Sequence, residues 1–291
     1  MRFSNLVDEL AAHLSAGGVH FGHGYAGAWE EALALVTFVT RTGNWQRDSI
    51  LQRPVSRQTQ ARARRLAALR VSRRIPLAYL IGEAWFAGLR FEVDKRVCIP
   101  RSPLAELIQD GFLPWFHSGQ VRRVLELCTG SGCIGAACAL YFPGSEVTAT
   151  DISPAALAVA ERNLRRLGLQ QRVALHEGDL FADAEGKFDL VIANPPYVPT
   201  GVYHSLPPEY RHEPGLALPA GADGLVIAER ILQQVPRYLA KGGLLALEVG
   251  DVAADLAVAH PELPFYWPDL RRGGHGVLLL RAEDLSGRIT N

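Results

Sequence analysis

The chain has 291 residues, 48% apolar and 21% charged, a globular composition able to bury a sizeable core in one large domain or two smaller ones. Lys plus Arg and Asp plus Glu number 30 each, so a protein held mainly by long-range attraction to nucleic acid or an anionic membrane is excluded, although a local patch is not. No apolar run is long enough to span a bilayer.

The first residues, MRFSNLVDELAAHL, carry charges where a signal peptide needs its apolar segment, so the chain reads as cytoplasmic. Cys98, Cys128, Cys133 and Cys138 form no C-x-x-C pair and read as small thiols, with no metal site expected. From Asn5 to about Arg74 the pattern is helical. Ser4-Asn5 can cap a helix carrying Leu6, Leu10 and Leu14 that stops at Gly17-Gly18. Trp29, Leu33, Val36 and Val39 mark a second helix, and a third begins near Ser56. Arg62, Arg64, Arg65, Arg70, Arg73 and Arg74 make that third helix basic. The run is either a solvated helix face or a surface that meets an acidic or RNA-bound partner. His20 and His23, beside Gly22 and Gly24, read as surface or packing residues rather than metal ligands.

Ala84 to Pro100 reads as a β-hairpin, with turns at Ala87-Gly88 and Asp94-Lys95. The expected division is therefore a helical domain over 1–83, a hairpin connector over 84–100 and a larger domain over 101–291. From Val121 onward strands and helices alternate: strands over 121–127, 146–150, 172–175, 190–193, 244–249, 264–267 and 276–280, helices over 132–140, 154–167 and 224–239. Alternation of this kind predicts an α/β fold with a mostly parallel, doubly wound sheet. Ligands in such sheets bind beyond the carboxyl ends of the strands, so motifs at those ends matter most.

At the first strand end, Gly130, Gly132 and Gly135 form G-x-G-x-x-G between strand and helix, where backbone can approach a ligand closely. A dinucleotide site or a bare tight turn would share this spacing. Asp151 closes the next strand and can accept from ribose hydroxyls; Asp179, beside Leu180 and Phe181, can accept from an adenine amino group. Each carboxylate alone could also be a helix cap. Together the three strand ends describe an adenosine pocket. A fourth strand ends in N-P-P-Y, Asn194 to Tyr197. The side-chain oxygen of Asn194 and the backbone carbonyl of Pro195 can accept the two N–H bonds of an amino group. Pro195 and Pro196 each hold the preceding residue extended, and Tyr197 offers a flat wall. Arg101, between prolines, can orient a substrate or bridge the domains. The segment after N-P-P-Y, with Glu213, is long enough to act as a lid.

E-L-C-T-G-S-G, followed by Asp151, Asp179 and N-P-P-Y, resembles class I S-adenosylmethionine-dependent methyltransferases, and the version with N-P-P-Y resembles those that modify planar nitrogens. Arg74 to Ile108, with I-P-R-S-P-L-A-E-L, is similar to the HemK-type protein glutamine methyltransferases, in the branch acting on a large-subunit ribosomal protein. GHGYAGAWEEA near Gly22, PPEYRHEP at 207–214 and GGHGV at 273–277 carry the same likeness; Cys98 and His275 depart from it. The resemblance implies a sheet of about seven strands in the order 3-2-1-4-5-7-6. It also implies S-adenosylmethionine as cofactor, with S-adenosylhomocysteine as product. It assigns the cofactor to Glu126, Thr129, Gly130, Ser131, Gly132, Asp151, Asp179, Leu180 and Asn194, and the chemistry to Asn194, Pro195, Pro196 and Tyr197; apart from the resemblance, Arg101 and Glu213 are candidates for substrate contact, Glu213 being equally readable as a solvated carboxylate. The expected partner is a large-subunit ribosomal protein, with no membrane; the Arg62–Arg74 stretch leaves a contact with RNA open beside the solvated helix face. Release factors, or a base amino group in RNA or DNA, are the alternative substrates, and a non-catalytic adenosine-binding module is the third class.

Overall fold

A computed structural model describes residues 1–42, 48–117 and 119–285; the expected domain spans also run over the remaining positions, which lie outside it. The N-terminal part is helical: α1 (Phe3–Ala16), α2 (Ala28–Thr40), α3 (Asp48–Leu51), α4 (Arg57–Arg73) and α5 (Leu77–Ile81). Leu6, Leu10 and Leu14 of α1 bury against Leu33, Val36 and Val39 of α2, and Ala63 and Ala67 of α4 complete this core. Small residues on α4 allow the close approach of the other two helices. Helix α1 begins at Phe3, ahead of the expected cap at Ser4-Asn5. Arg2 pairs with Pro54 across the chain, and Phe3, 1% exposed, is drawn into the core, so Ser4 and Asn5 fall inside the helix. Ser56 does cap α4, accepting from the Thr59 N–H.

A hairpin follows, β1 (Glu83–Phe86) and β2 (Leu89–Glu92), turning at Ala87 and Gly88, both at positive φ. Its extended part is shorter than the expected span, and the chain runs irregularly from 93 to Pro100. Then come α6 (Leu104–Gln109), β3 (Arg123–Leu127), α7 (Cys133–Tyr141), β4 (Glu146–Asp151), α8 (Pro154–Leu167), β5 (Val173–Glu177), β6 (Phe188–Ala193), α9 (Thr200–Ser205), α10 (Val226–Gln234), β7 (Leu239–Glu248), α11 (Ala253–Ala259), β8 (Val277–Arg281) and α12 (Ala282–Leu285).

The large sheet has the order β5-β4-β3-β6-β7-β8, parallel except for β8. Val124, Leu190, Ile192, Leu244 and Ala246 fill one face; Leu125, Val191, Ala193, Leu245 and Leu247 fill the other. Burial on both faces explains why these strands read as continuous apolar runs. Among the described residues the sheet has six strands rather than seven. The expected strand over 264–267 is reduced to one bridge, Tyr266 to Leu279, because Pro264 and Pro268 bracket it and neither can donate to a ladder. Strand β7 also starts earlier than expected, with a register shift between Phe188 and Leu190 that the flexible Gly242-Gly243 step absorbs. Pro236 ends the preceding helix short of its expected limit.

Candidate active site

The parallel ladder aligns the strand ends. Leu127 pairs with Thr150 on one side and Ala193 on the other, Asp151 pairs with Glu177, and Ala193 pairs with Leu247. The glycine loop, Asp151, Gly178-Asp179, Asn194 and Glu248 therefore emerge along one edge of the sheet, which a linear reading could infer but not measure.

The loop after β3 turns sharply: Cys128, Gly130 and Gly132 all have positive φ. Gly130 has no heavy atom within 4 Å of where a Cβ would sit, so its backbone faces open space, while a Cβ on Gly132 would come to 3.1 Å from Ala160. Glu126 lies beneath the loop, 1% exposed, and one carboxylate oxygen accepts from Thr129 Oγ1 (2.5 Å) and the Gly135 N–H (3.0 Å). Its other oxygen, Oε1, is buried with no partner, and burial pushes the carboxyl up to about 8 against those two hydrogen bonds. Asp151 accepts from the Gly130 N–H (2.8 Å) and the Ser153 N–H (2.9 Å); burial raises its carboxyl and these bonds oppose the rise. An open backbone cradle, an unpartnered buried carboxyl oxygen and an oriented carboxylate match the donor and acceptor needs of a sulfonium nucleoside with a charged amino-acid tail.

Asp179 lies farther out, exposed, and meets Arg230 at 2.7 Å. Leu180 is buried, at positive φ, with its carbonyl accepting from Thr150 Oγ1. Two neighbours escaped the sequence reading. Ile152, 60% exposed directly after Asp151, presents an apolar surface at the strand ends. Asn163, 1% exposed on α8, donates to the carbonyls of Ser131 (2.9 Å) and Glu92 (3.0 Å) and accepts from the Glu92 N–H (2.7 Å). It ties the glycine loop to the hairpin. A buried Asn on the inner stripe of an amphipathic helix was its only signal.

Asn194 follows β6 half-buried, and among the described residues nothing hydrogen-bonds its side-chain amide. Pro195 is buried. Tyr197 donates its hydroxyl to Glu248 Oε1 (3.0 Å), and Glu248, 5% exposed, also accepts from Ser102 Oγ through Oε2. Burial raises the Tyr197 phenol, reinforced by the Glu248 charge. Glu248 closes β7 as Asp151 closes β4, and that parallel was the missed sequence signal.

Arg101 and Glu213, expected separately, form a bidentate pair at 2.5 and 2.8 Å. Glu213 also accepts from the Ile99 N–H (2.9 Å). Burial would raise its carboxyl, but the Arg101 guanidinium holds it below the usual range. The segment after N-P-P-Y is tied at its base by Val198 and Pro219 and contains the 3-10 turn Pro208–His212. From that turn Glu209 reaches Arg70 (3.0 Å), Arg74 (3.1 Å) and the His20 N–H (2.9 Å). Arg70, 1% exposed, also pairs with Glu31 at 2.7 Å. The reading of the Arg62–Arg74 stretch as one surface is thus corrected: Arg70 and Arg74 turn inward to a carboxylate from a distant segment. Arg64 pairs with Glu9, and Arg62, Arg65 and Arg73 stay exposed. His23 is buried at the same junction, 3.9 Å from Glu213, with neither ring nitrogen hydrogen-bonded, and burial lowers it to about 4. A groove of about 550 Å³ runs beside this junction, lined by Phe21, Gly22, Arg101, Ser102, Pro103 and Gly274.

Residues 111–205 match the family model of the methyltransferase small domain. The chain is 43% identical over 284 residues to the ribosomal protein uL3 glutamine methyltransferase of Bordetella pertussis, covering 97% of this chain and 95% of that one. Its identity to the protein of the same name from Francisella tularensis is 41% over 276 residues, covering 94% and 88%. Among solved structures, the hMettl16 catalytic domain with an RNA hairpin superposes with a TM-score of 0.51 at 16% identity, over 78% of this chain and 81% of that one, a likeness of fold alone.

Proposed function

The chain belongs to the ribosomal protein uL3 glutamine methyltransferases, and from that membership we propose that Asn194 and Pro195 hold a glutamine side-chain amide of that ribosomal protein for methylation. The enzyme transfers a methyl group to the amide nitrogen of a glutamine in a large-subunit ribosomal protein. S-adenosylmethionine, bound, supplies an electrophilic methyl group on a sulfonium.

The observation that carries this reading is the unpaired Asn194 amide at the end of β6, whose last residue pairs with the last residue before the glycine loop. An amide nitrogen is a poor nucleophile because its lone pair is delocalised. Asn194 Oδ1 and the Pro195 carbonyl accept its two N–H bonds, orient it, and gain strength as the nitrogen becomes positive; the methylated nitrogen, now acidic, then gives up one of those protons to water, leaving the neutral N-methyl amide. The Pro195-Pro196 step keeps the carbonyl direction without flexible side chains. Tyr197 lies along the amide plane. Asp151 takes the ribose hydroxyls, Asp179 and Leu180 the adenine, and Glu126, Thr129, Gly130, Ser131 and Gly132 the methionine part. Ile152 offers the base an apolar face.

We assign substrate recognition to 1–83, the connector to 84–100 and methyl transfer to 101–291. The groove beside Arg101 is the entry for the substrate loop, with Glu213 holding the Arg101 guanidinium in place. Arg62, Arg65 and Arg73 supply the exposed charge for RNA near that substrate, in the cytoplasm. Among the described residues no helix is long and apolar enough to cross a membrane.

Methyl-labelled S-adenosylmethionine, incubated with the enzyme and separately with purified uL3, a release factor and RNA, tests the reading. Label in uL3, abolished by Asn194→Ala, supports it. Label only in the release factor or only in RNA overturns it.

A further inference from the structure

We propose that Glu248, held by Ser102, is a positioning residue that fixes Tyr197 against the acceptor amide. The inference rests on the reading of N-P-P-Y as the acceptor site. Ala193 and Leu247 are ladder partners, so Asn194, the first residue past β6, and Glu248, the last residue of β7, stand side by side at the edge of the sheet. The Glu248 side chain is buried and both its oxygens are used: Oε1 accepts from the Tyr197 hydroxyl, Oε2 from Ser102 Oγ. Ser102 Oγ accepts in turn from the Leu104 N–H at 3.1 Å. That bond occupies a lone pair, so the single hydroxyl proton of Ser102 is directed at Glu248. The far side of the tyrosine is closed by Gly250, where a Cβ would sit 2.5 Å from ring atom Cε2. The ring is therefore gripped by its hydroxyl and braced on its flank, and its remaining surface is the part available to a flat amide.

A carboxylate suits this task better than an apolar neighbour. Packing alone leaves a phenol ring free to tilt; a charge-assisted hydrogen bond fixes both the direction of the hydroxyl and the ring plane. Ser102 comes from the segment that enters α6 and is adjacent to Arg101, which binds Glu213. Two consecutive residues thus hold the lid and the acceptor tyrosine from one stretch of backbone.

The test compares Tyr197→Phe, Glu248→Leu, Glu248→Gln, Ser102→Ala and the double variant Tyr197→Phe with Glu248→Leu. Readouts are kcat and KM with uL3, the cofactor Kd by calorimetry, and the Cζ chemical shift of Tyr197 in ¹³C-tyrosine-labelled enzyme. Tyr197→Phe and Glu248→Leu should each lower kcat about tenfold, leave cofactor Kd within about twofold, and combine to no more than the larger single loss. Glu248→Gln, which keeps an acceptor, should recover most of the rate while moving the Tyr197 Cζ resonance. Ser102→Ala, which removes only the hydroxyl that holds Glu248, should lower kcat about threefold and shift the same resonance. Unchanged kcat in Tyr197→Phe, a multiplicative double loss, or a Tyr197 resonance indifferent to both Glu248→Gln and Ser102→Ala overturns the proposal. Should wild-type enzyme methylate no protein, the proposed function fails, and the resonance still reports whether Glu248 holds the tyrosine.

Discussion

Arg70 and Glu209 stand 139 positions apart in the chain and meet at 3.0 Å in the protein interior, joining α4 to the segment that follows N-P-P-Y. Glu31 and Arg74 complete the cluster, so two carboxylates face two guanidiniums with no net charge. Burial alone would raise the Glu209 carboxyl, but the His20 N–H and the two arginines bring it down to about 2. Glu209→Ala leaves the Arg70 guanidinium buried with Glu31 and the His20 carbonyl but without its second carboxylate, and is expected to cost about 3–5 kcal/mol in urea unfolding. Glu9→Ala, which breaks the exposed Arg64 pair, should leave the midpoint in place. Equal effects of the two would refute the clamp.

The depressed His23 pKa makes stability fall with acid in a defined window. The folded imidazole titrates at about 4, held neutral by burial, with Arg101, Arg70 and His20 adding to the depression and Glu213 opposing it. An unfolded histidine titrates near 6.5, so between those values the unfolded chain binds the extra proton. Stability from this residue is complete above about 6.5 and is lost as pH falls toward 4, by about 1.4 kcal/mol per pH unit. Urea midpoints of wild type and His23→Phe, measured from pH 7 to pH 5, should diverge with that slope. Parallel profiles would remove the argument.

Asn194→Ala and Asp151→Ala should separate turnover from binding. Loss of the Asn194 acceptor is expected to lower kcat roughly 100-fold or more, with little change in cofactor Kd. Loss of Asp151 removes the acceptor of the Gly130 N–H and, in its proposed role, that of the ribose, and should weaken cofactor binding roughly 10- to 100-fold by calorimetry. The reverse pattern would exchange the two roles.

Gly132→Ala tests the glycine loop. At φ 77° an L-residue costs about 1–2 kcal/mol, and the new methyl group would also press on Ala160. Lower thermal stability together with weaker cofactor binding is expected. Gly201→Ala, on α9 with open space around it, is the control.

Much of the geometry along the strand-end edge was legible because its signals are local. Glycine at a tight turn, proline after Asn194 and a carboxylate closing a strand each express a conformational preference of one or two residues, and the apolar runs of β3, β6 and β7 follow from burial on both faces. Asp179 shows the limit: a carboxylate at the expected strand end, yet paired with Arg230 of α10, which nothing near it in sequence announces. The strand expected over 264–267 failed for the opposite, local reason: Pro264 and Pro268 outweighed its aromatic residues.

From the order of residues alone came the fold class, the glycine turn after β3 and the Asn-Pro-Pro-Tyr segment at the end of β6. Which arginines of α4 turn inward, that Arg101 and Glu213 hold each other, and that Glu248 grips Tyr197 were decided only when distant segments packed. Backbone preferences act between neighbours along the chain. The partner of a buried charge is chosen by whichever opposite group the fold brings within about 3 Å, and sequence separation does not enter that choice.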